Sequence, residues 1–280
     1  MKKLLSLLLV LSLTLLAAAG CGNEQKTTGG NNDNKDAELI PIVVGASPTP
    51  HVEILNALKD TLAEQGYDLQ VKEFTDYIIP NTALESGEID ANYFQHITYM
   101  NNFNQEHGTH LVSVAEIHYE PFGIYAGKVA DLASLPDGAQ IGIPNDPTNG
   151  GRALLLLQEQ GLIKLADNVG LEPTKLDIAD NPHNYRIEEL EAAQLPRSLD
   201  SLDIAVINGN YAIDAGLKIG DALAIESAQG TAGTAYVNVL AVKEGREKDE
   251  AIQALVKALQ SEKVKTFIQE TYGGAVVAVG

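Results

Sequence analysis

From Ile40 onward the chain alternates short β-type apolar runs with helix-length segments. That order constrains the fold more than any other feature, because strands that alternate with helices pack as α/β layers. Residues 40–46 read as a buried strand. Thr49 and Pro50 then supply a helix start, Ile54, Leu55, Leu58 and Leu62 form one apolar face, and Gly66 stops it. Extended runs are expected at 69–74 and 89–92, with a short helix at 83–86 between them, a helix over 95–107 after them, and extended segments at 111–117 and 122–126. A second series has strand 140–143, helix 150–160, strand 175–178, a short helix near 187–190, strand 204–207 and helix 211–215. A final strand at 237–242 precedes C-terminal helices from about 247 to 272. Two βαβ-like halves imply two lobes, 39–124 with 236–280 and 125–235, and a ligand cleft at their junction.

The first twenty residues differ from this body. Lys2 and Lys3 form a basic start, residues 4–16 are almost wholly apolar, and Ala17, Ala18, Ala19 and Gly20 are small. This is the layout of a secretory signal, too short to span a membrane comfortably. The sole cysteine of the 280 residues, Cys21, follows at once, so no internal disulfide is available. A leader ending in small residues before a Cys resembles the bacterial lipobox, which implies acylation of Cys21; Ala18 stands where leucine is usual. Acyl chains bury methylenes and attach a protein to a membrane surface without spanning it. Residues 21–38 then read as a flexible tether, polar throughout except at Cys21 and Ala37. Loss of Lys2 and Lys3 with the leader takes the formal charge from −19 to −21. So acidic a body argues against a nucleic-acid ligand, which needs a basic surface.

Aromatic residues are scarce, 5 Phe and 10 Tyr with no Trp, yet nine of the fifteen fall between Phe74 and Tyr125. Rings of this size serve cores as well as clefts. Within that stretch His96 and Tyr99 lie three apart and share one helix face, where His96 is either a ligand contact or a satisfied structural histidine. The turn from Pro144 to Arg152 joins a strand to a helix, and the amides of the helix start offer an anion site. Arg152 in the first helical turn conflicts with the macrodipole. A bound carboxylate relieves that conflict, since the guanidinium fork suits it; an internal salt bridge does so equally. Asn208 at the end of one apolar run and Asn238 within another place amides where partners are needed, either ligand groups or a turn and a strand edge.

Four stretches carry a resemblance over most of the chain: DYIIPNTALESGEIDANYFQH from Asp76, IPNDPTNGGRALLLLQ from Ile143, LEAAQLPRSL from Leu190 and AVINGNYA from Ala205. They resemble the methionine-binding lipoproteins of ABC importers, the NlpA lipoprotein family. The resemblance implies a two-lobed, periplasmic-binding-protein-like (type II) α/β fold that closes on an amino acid, L-methionine first, and delivers it to a permease with paired ATPase subunits. It implies a wall for the thioether from Tyr77, Phe94, His96 and Tyr99, a carboxylate contact from Arg152 and polar contacts from Asn208 and Asn238, with no metal or cofactor. A polarizable sulfur near ring edges gains about 0.3–1.5 kcal/mol, in keeping with such a wall. Around Asn238 the family tends to show Ser-Pro-Tyr before the strand and Arg after it. Here Gly233-Thr234-Ala235-Tyr236 precedes, and Lys243 follows.

Another apolar amino acid or a methionine-containing dipeptide is the alternative ligand, because these residues do not by themselves choose chain length. An enzyme is not expected: GxSxG and HExxH are absent and Cys21 is taken up by lipid. His107 and His110 make a poor metal pair. A surface adhesin leaves Arg152 and the aromatic cluster without a purpose.

Overall fold

The apolar run at the start of the body forms β1 (Ile40–Ala46), whose Ile42, Val44 and Ala46 are buried on a common face. In this computed structural model, which describes residues 38–227 and 232–279, twelve further strands follow. They are β2 (Tyr67–Glu73), β3 (Ala91–His96), β4 (Leu111–Tyr119), β5 (Gly123–Ala126), β6 (Gln140–Pro144), β7 (Lys164–Leu165), β8 (Ile178–Asp180), β9 (Arg186–Leu190), β10 (Ile204–Ile207), β11 (Ala224–Ile225), β12 (Val237–Lys243) and β13 (Val277–Ala278). The leader, Cys21 and the tether as far as residue 37 lie outside the described residues.

Two sheets organise the molecule. The first has the order β13-β4-β12-β3-β1-β2, with β1 parallel to β2 and β3, and β12 antiparallel to both β3 and β4. The second has the order β11-β5-β10-β6-β9, with β6 parallel to β9 and β10. β7 and β8 make a small separate pair. The chain leaves the first sheet after Tyr119, enters the second at Gly123, and returns between Ile225 and Val237. Two lobes joined by two crossings result.

Each lobe has its own core because each sheet must cover its faces with helices. In the first, Leu55, Leu58 and Leu62 meet Ile252, Leu255 and Leu259 against β1, β3 and β12. The helix Glu250–Leu259 buries Ile252, Leu255, Ala258 and Leu259 at helical spacing. In the second, Ile141 and Ile143 of β6 pack on Leu154 and Leu157 of the helix Pro147–Glu159. Truncating any of these leucines to Ala costs about 2–5 kcal/mol by lost burial and the cavity left behind.

Several elements differ from their sequence reading. Residues 187–190 were expected to be helical; they belong to β9, held by parallel pairing with β6 despite an acidic, helix-prone composition. Residues 175–177 form a 3-10 turn rather than a strand, because Thr174 and Asp177 cap one another's backbone, and only Ile178–Asp180 is extended. The third strand runs 91–96, not 89–92, so the helix after it starts at Ile97 and not at Gln95. Pro80 and Pro147 occupy first-turn positions and start their helices three or four residues earlier than expected, giving Ile79–Ser86 and Pro147–Glu159.

Candidate functional site

On the first lobe the site begins with a strand whose six residues are all buried. The amides within it need partners, and Asn81 on the helix Ile79–Ser86 provides them. Its Nδ2 donates to Gln95 Oε1 at 2.8 Å, and its Oδ1 accepts from Asn92 at 2.8 Å and from Gln95 at 2.7 Å. This network locks the helix to β3 and aims Phe94 at the cavity. His96 ends the strand and caps the helix Ile97–His107: its Nδ1 accepts from the Tyr99 amide at 3.0 Å, so Nε2 carries the proton and donates to Asn149 Oδ1 at 3.2 Å. His96 and Tyr99 are therefore cap and first turn, and the histidine meets the cavity with its ring.

On the second lobe Asp146 caps the helix Pro147–Glu159, accepting from the Asn149 amide at 2.9 Å and from Asn149 Nδ2 at 3.0 Å. The expected anion site at these amides is thus taken by an internal carboxylate. Arg152 lies in the second helical turn, not the first, because the helix starts at Pro147. The internal salt bridge weighed as an alternative is present: Arg152 Nη2 donates to Glu226 Oε2 at 2.5 Å and Nε to Oε1 at 3.0 Å, while Nη2 also donates to the Glu120 carbonyl at 2.8 Å. Glu120 and Glu226 stand on the two crossings between lobes, so one guanidinium ties both together. Phe122 and Tyr236 cover its faces at 4.4 and 4.2 Å.

Tyr77, Phe94, His96, Tyr99, Arg152, Asn208 and Asn238, the residues singled out in the sequence, all border one cavity between the lobes, with about 340 Å³ of space not filled by atoms. Asn208 Nδ2 donates to Asn149 Oδ1 at 2.8 Å, and its own Oδ1 is buried with no hydrogen-bond partner among the described residues. Asn238 Oδ1 accepts from His51 Nε2 at 3.0 Å; β12 is interior to its sheet, which excludes the strand-edge reading.

Sequence reasoning missed Glu120, Asn149 and Asn210, which also line the cavity, and the support behind Glu120. His118 Nε2 donates to Glu120 Oε1 at 2.7 Å, the Tyr93 hydroxyl meets His118 Nδ1, and His51 Nε2 lies 3.5 Å from the same carboxylate oxygen. Burial alone would raise the Glu120 carboxyl, but the hydrogen bond from His118, the polar His51 ring beside it and the Asn210 amide hold it below the usual carboxylate range. Burial lowers His51 to about 4, against the pull of Glu120, and lowers His96 to about 3 with help from Arg152. The cavity therefore presents an ionised carboxylate, a paired guanidinium, neutral His51 and His96, and an unmatched amide oxygen.

His51, His118 and Glu120 are donors of the metal-binding type with ligand atoms within 4.8 Å. In this arrangement their hydrogen bonds are directed at one another and at Asn238, which makes them a brace for the carboxylate.

Two α/β lobes on two crossings, closing on a cavity with charge and amides on one side and aromatic rings on the other, define a solute-binding protein of the two-lobed periplasmic class. The chain belongs to the NlpA lipoprotein family, whose model matches residues 42–280. It is 42% identical over 265 residues to the D-methionine-binding lipoprotein MetQ of Salmonella typhimurium, covering 94% of this chain and 93% of that one. A solved structure from Ruminococcus gnavus superposes with a TM-score of 0.85 at 53% identity, covering 86% of this chain and 99% of that one. A nutrient-binding protein from Burkholderia cenocepacia bound to methionine superposes with a TM-score of 0.81 at 43% identity, covering 85% and 100%. Among the described residues no helix is long and apolar enough to cross a membrane.

Proposed function

We propose that this chain is the extracytoplasmic solute-binding lipoprotein of an ABC importer, that it captures methionine, and that it delivers the amino acid to a permease with its ATPase subunits. The observation that carries the reading is the pairing of Glu120 with the unmatched Asn208 Oδ1 at one cavity. Both are acceptors, and an unsatisfied buried acceptor costs about 1–3 kcal/mol, so the site calls for a ligand rich in N–H donors. An α-ammonium is such a group. The Arg152 guanidinium would meet the ligand carboxylate, while Tyr77, Phe94 and Tyr99 would receive an apolar thioether.

The names of the relatives support methionine as the ligand and a binding role rather than catalysis. Cys21 would carry the lipid and hold the protein on the outer face of the cell membrane. The test is a thermal-melting series on ligand-stripped protein with both enantiomers of methionine, the other amino acids and short methionine dipeptides. A ligand at about 100 times its dissociation constant adds about 2.7 kcal/mol to the folded state. Stabilisation by methionine above the rest of the panel is the expected result, and no response to either enantiomer would sink the reading.

A further inference from the structure

The inner cavity is not the only space between the lobes. A larger space, with about 780 Å³ not filled by atoms, lies beside it, bordered by Asp76, Ile78, Asn145, Asp146, Glu191 and Tyr211 among others. The two spaces share only Tyr77 and Tyr99. None of the groups that would hold the ligand backbone, Glu120, Arg152, Asn208 or Asn238, borders the outer crevice, so the common wall is aromatic and stands at the end that would receive a side chain.

Tyr77 is braced in that wall from both lobes. Its hydroxyl donates to Asn210 Oδ1 at 2.6 Å, and its ring stacks on Tyr211 at 4.9 Å with 29° between planes. Tyr211 in turn donates to the Thr75 carbonyl at 3.2 Å, and Tyr99 donates to the Tyr77 carbonyl at 3.0 Å, which fixes the backbone on either side of the partition. Phe94 and Tyr99 lie edge-on or tilted against the inner face at 5.8 and 5.7 Å.

We propose that Tyr77 sets the length of side chain the protein accepts. Its ring closes the distal end of the inner cavity, and shortening it joins that cavity to the crevice, giving a longer thioether a path between Asp76 and Asp146. This inference rests on the methionine reading above. It distinguishes Tyr77 from Phe94, which touches the inner space alone.

The experiment measures dissociation constants of L-methionine and S-butyl-L-homocysteine for the full-length protein in detergent and for Tyr77→Ala, Tyr77→Leu and Tyr77→Phe. Wild type should prefer methionine strongly. In Tyr77→Ala that preference should fall by about tenfold or more, the scale on which an apolar pocket discriminates single methylenes. Tyr77→Leu should move in the same direction by less, and provides the reading if Tyr77→Ala does not fold. Tyr77→Phe, which keeps the ring and loses only the bond to Asn210, should keep the wild-type preference. Wild-type binding of methionine together with an unchanged preference in the folded Ala or Leu variant overturns the length assignment alone. A wild type that binds neither compound overturns both this inference and the function on which it rests.

Discussion

Asn208 and Asn149 share a single hydrogen bond, 2.8 Å from Nδ2 to Oδ1, and it fixes the orientation of the Asn208 amide so that its oxygen is left over, buried at the cavity. A residue oriented this way contributes little to the ligand-free fold, since one bond of about 1 kcal/mol is offset by one unsatisfied acceptor. Asn208→Ala should therefore change the urea midpoint of the ligand-free protein only slightly while weakening methionine binding by about 1–3 kcal/mol. Calorimetric titration of the folded variant checks this, and wild-type affinity would remove Asn208 from the site.

Arg152→Ala should do two things at once. It leaves the Glu226 carboxylate buried without its partner, at a cost of about 3–5 kcal/mol in stability. It also removes the proposed carboxylate contact, at a cost of about 2–5 kcal/mol in binding. The double variant Arg152→Met with Glu226→Leu separates the effects: an apolar pair of similar size should restore most of the stability and none of the affinity. Methionine binding at wild-type strength in the double variant would show that Arg152 only bridges the crossings.

Acid should weaken the fold through two buried histidines. Unfolded, His51 and His96 take up protons as pH falls through about 6.5; folded, they resist until about 4 and about 3. The unfolded chain thus holds more protons across that window, and the stability is fully present above it and declines as pH falls. At pH 5 each histidine should account for about 2 kcal/mol. Urea midpoints measured from pH 7.5 to 5 should drop, with a smaller slope in His51→Gln; a flat profile would contradict the buried, neutral state of both rings.

Gly209 borders the same cavity for a reason of space. A Cβ there would lie 2.8 Å from Glu120 Cβ and 3.0 Å from Glu120 Oε2, and the brace from His118 leaves that carboxylate little room to move. Gly209→Ala should displace Glu120 and lower methionine affinity about tenfold or more, since small misplacements at a site are costly. Affinity equal to wild type would mean that Glu120 does not touch the ligand.

Replacing Cys21 by Ser tests attachment. The variant should leave the membrane fraction for the soluble extracytoplasmic fraction, where wild type labels with lipid precursors and the variant does not. Retention of Cys21→Ser on the membrane would point to another anchor.

Much of this site was legible in the sequence because its aromatic and amide members stand beside turns and strand ends whose chemistry is local. The acidic members were not. Glu120 and Glu226 are two of 38 acids, and nothing next to them in the chain marks them as buried; their significance comes from Arg152 and His118, which reach them across the fold. The same applies to residues 187–190, where local preference pointed to a helix and pairing with a distant strand decided otherwise. For Arg152 the sequence left a ligand carboxylate and an internal salt bridge open; the structure shows the salt bridge, to Glu226, and the first-turn placement fails because Pro147 begins the helix.

The place of β12 between β3 and β4 sets an order on biosynthesis. The second sheet is built from one continuous stretch and has all its strands once Ile225 has been made, whereas the first has an empty central slot until Lys243 follows. The N-terminal segment therefore cannot complete its own sheet from the residues that precede the second lobe. Pairing residues 237–243 with strands made more than a hundred residues earlier closes a long loop of chain, so the whole second lobe is an insertion that the first must span before its sheet is continuous.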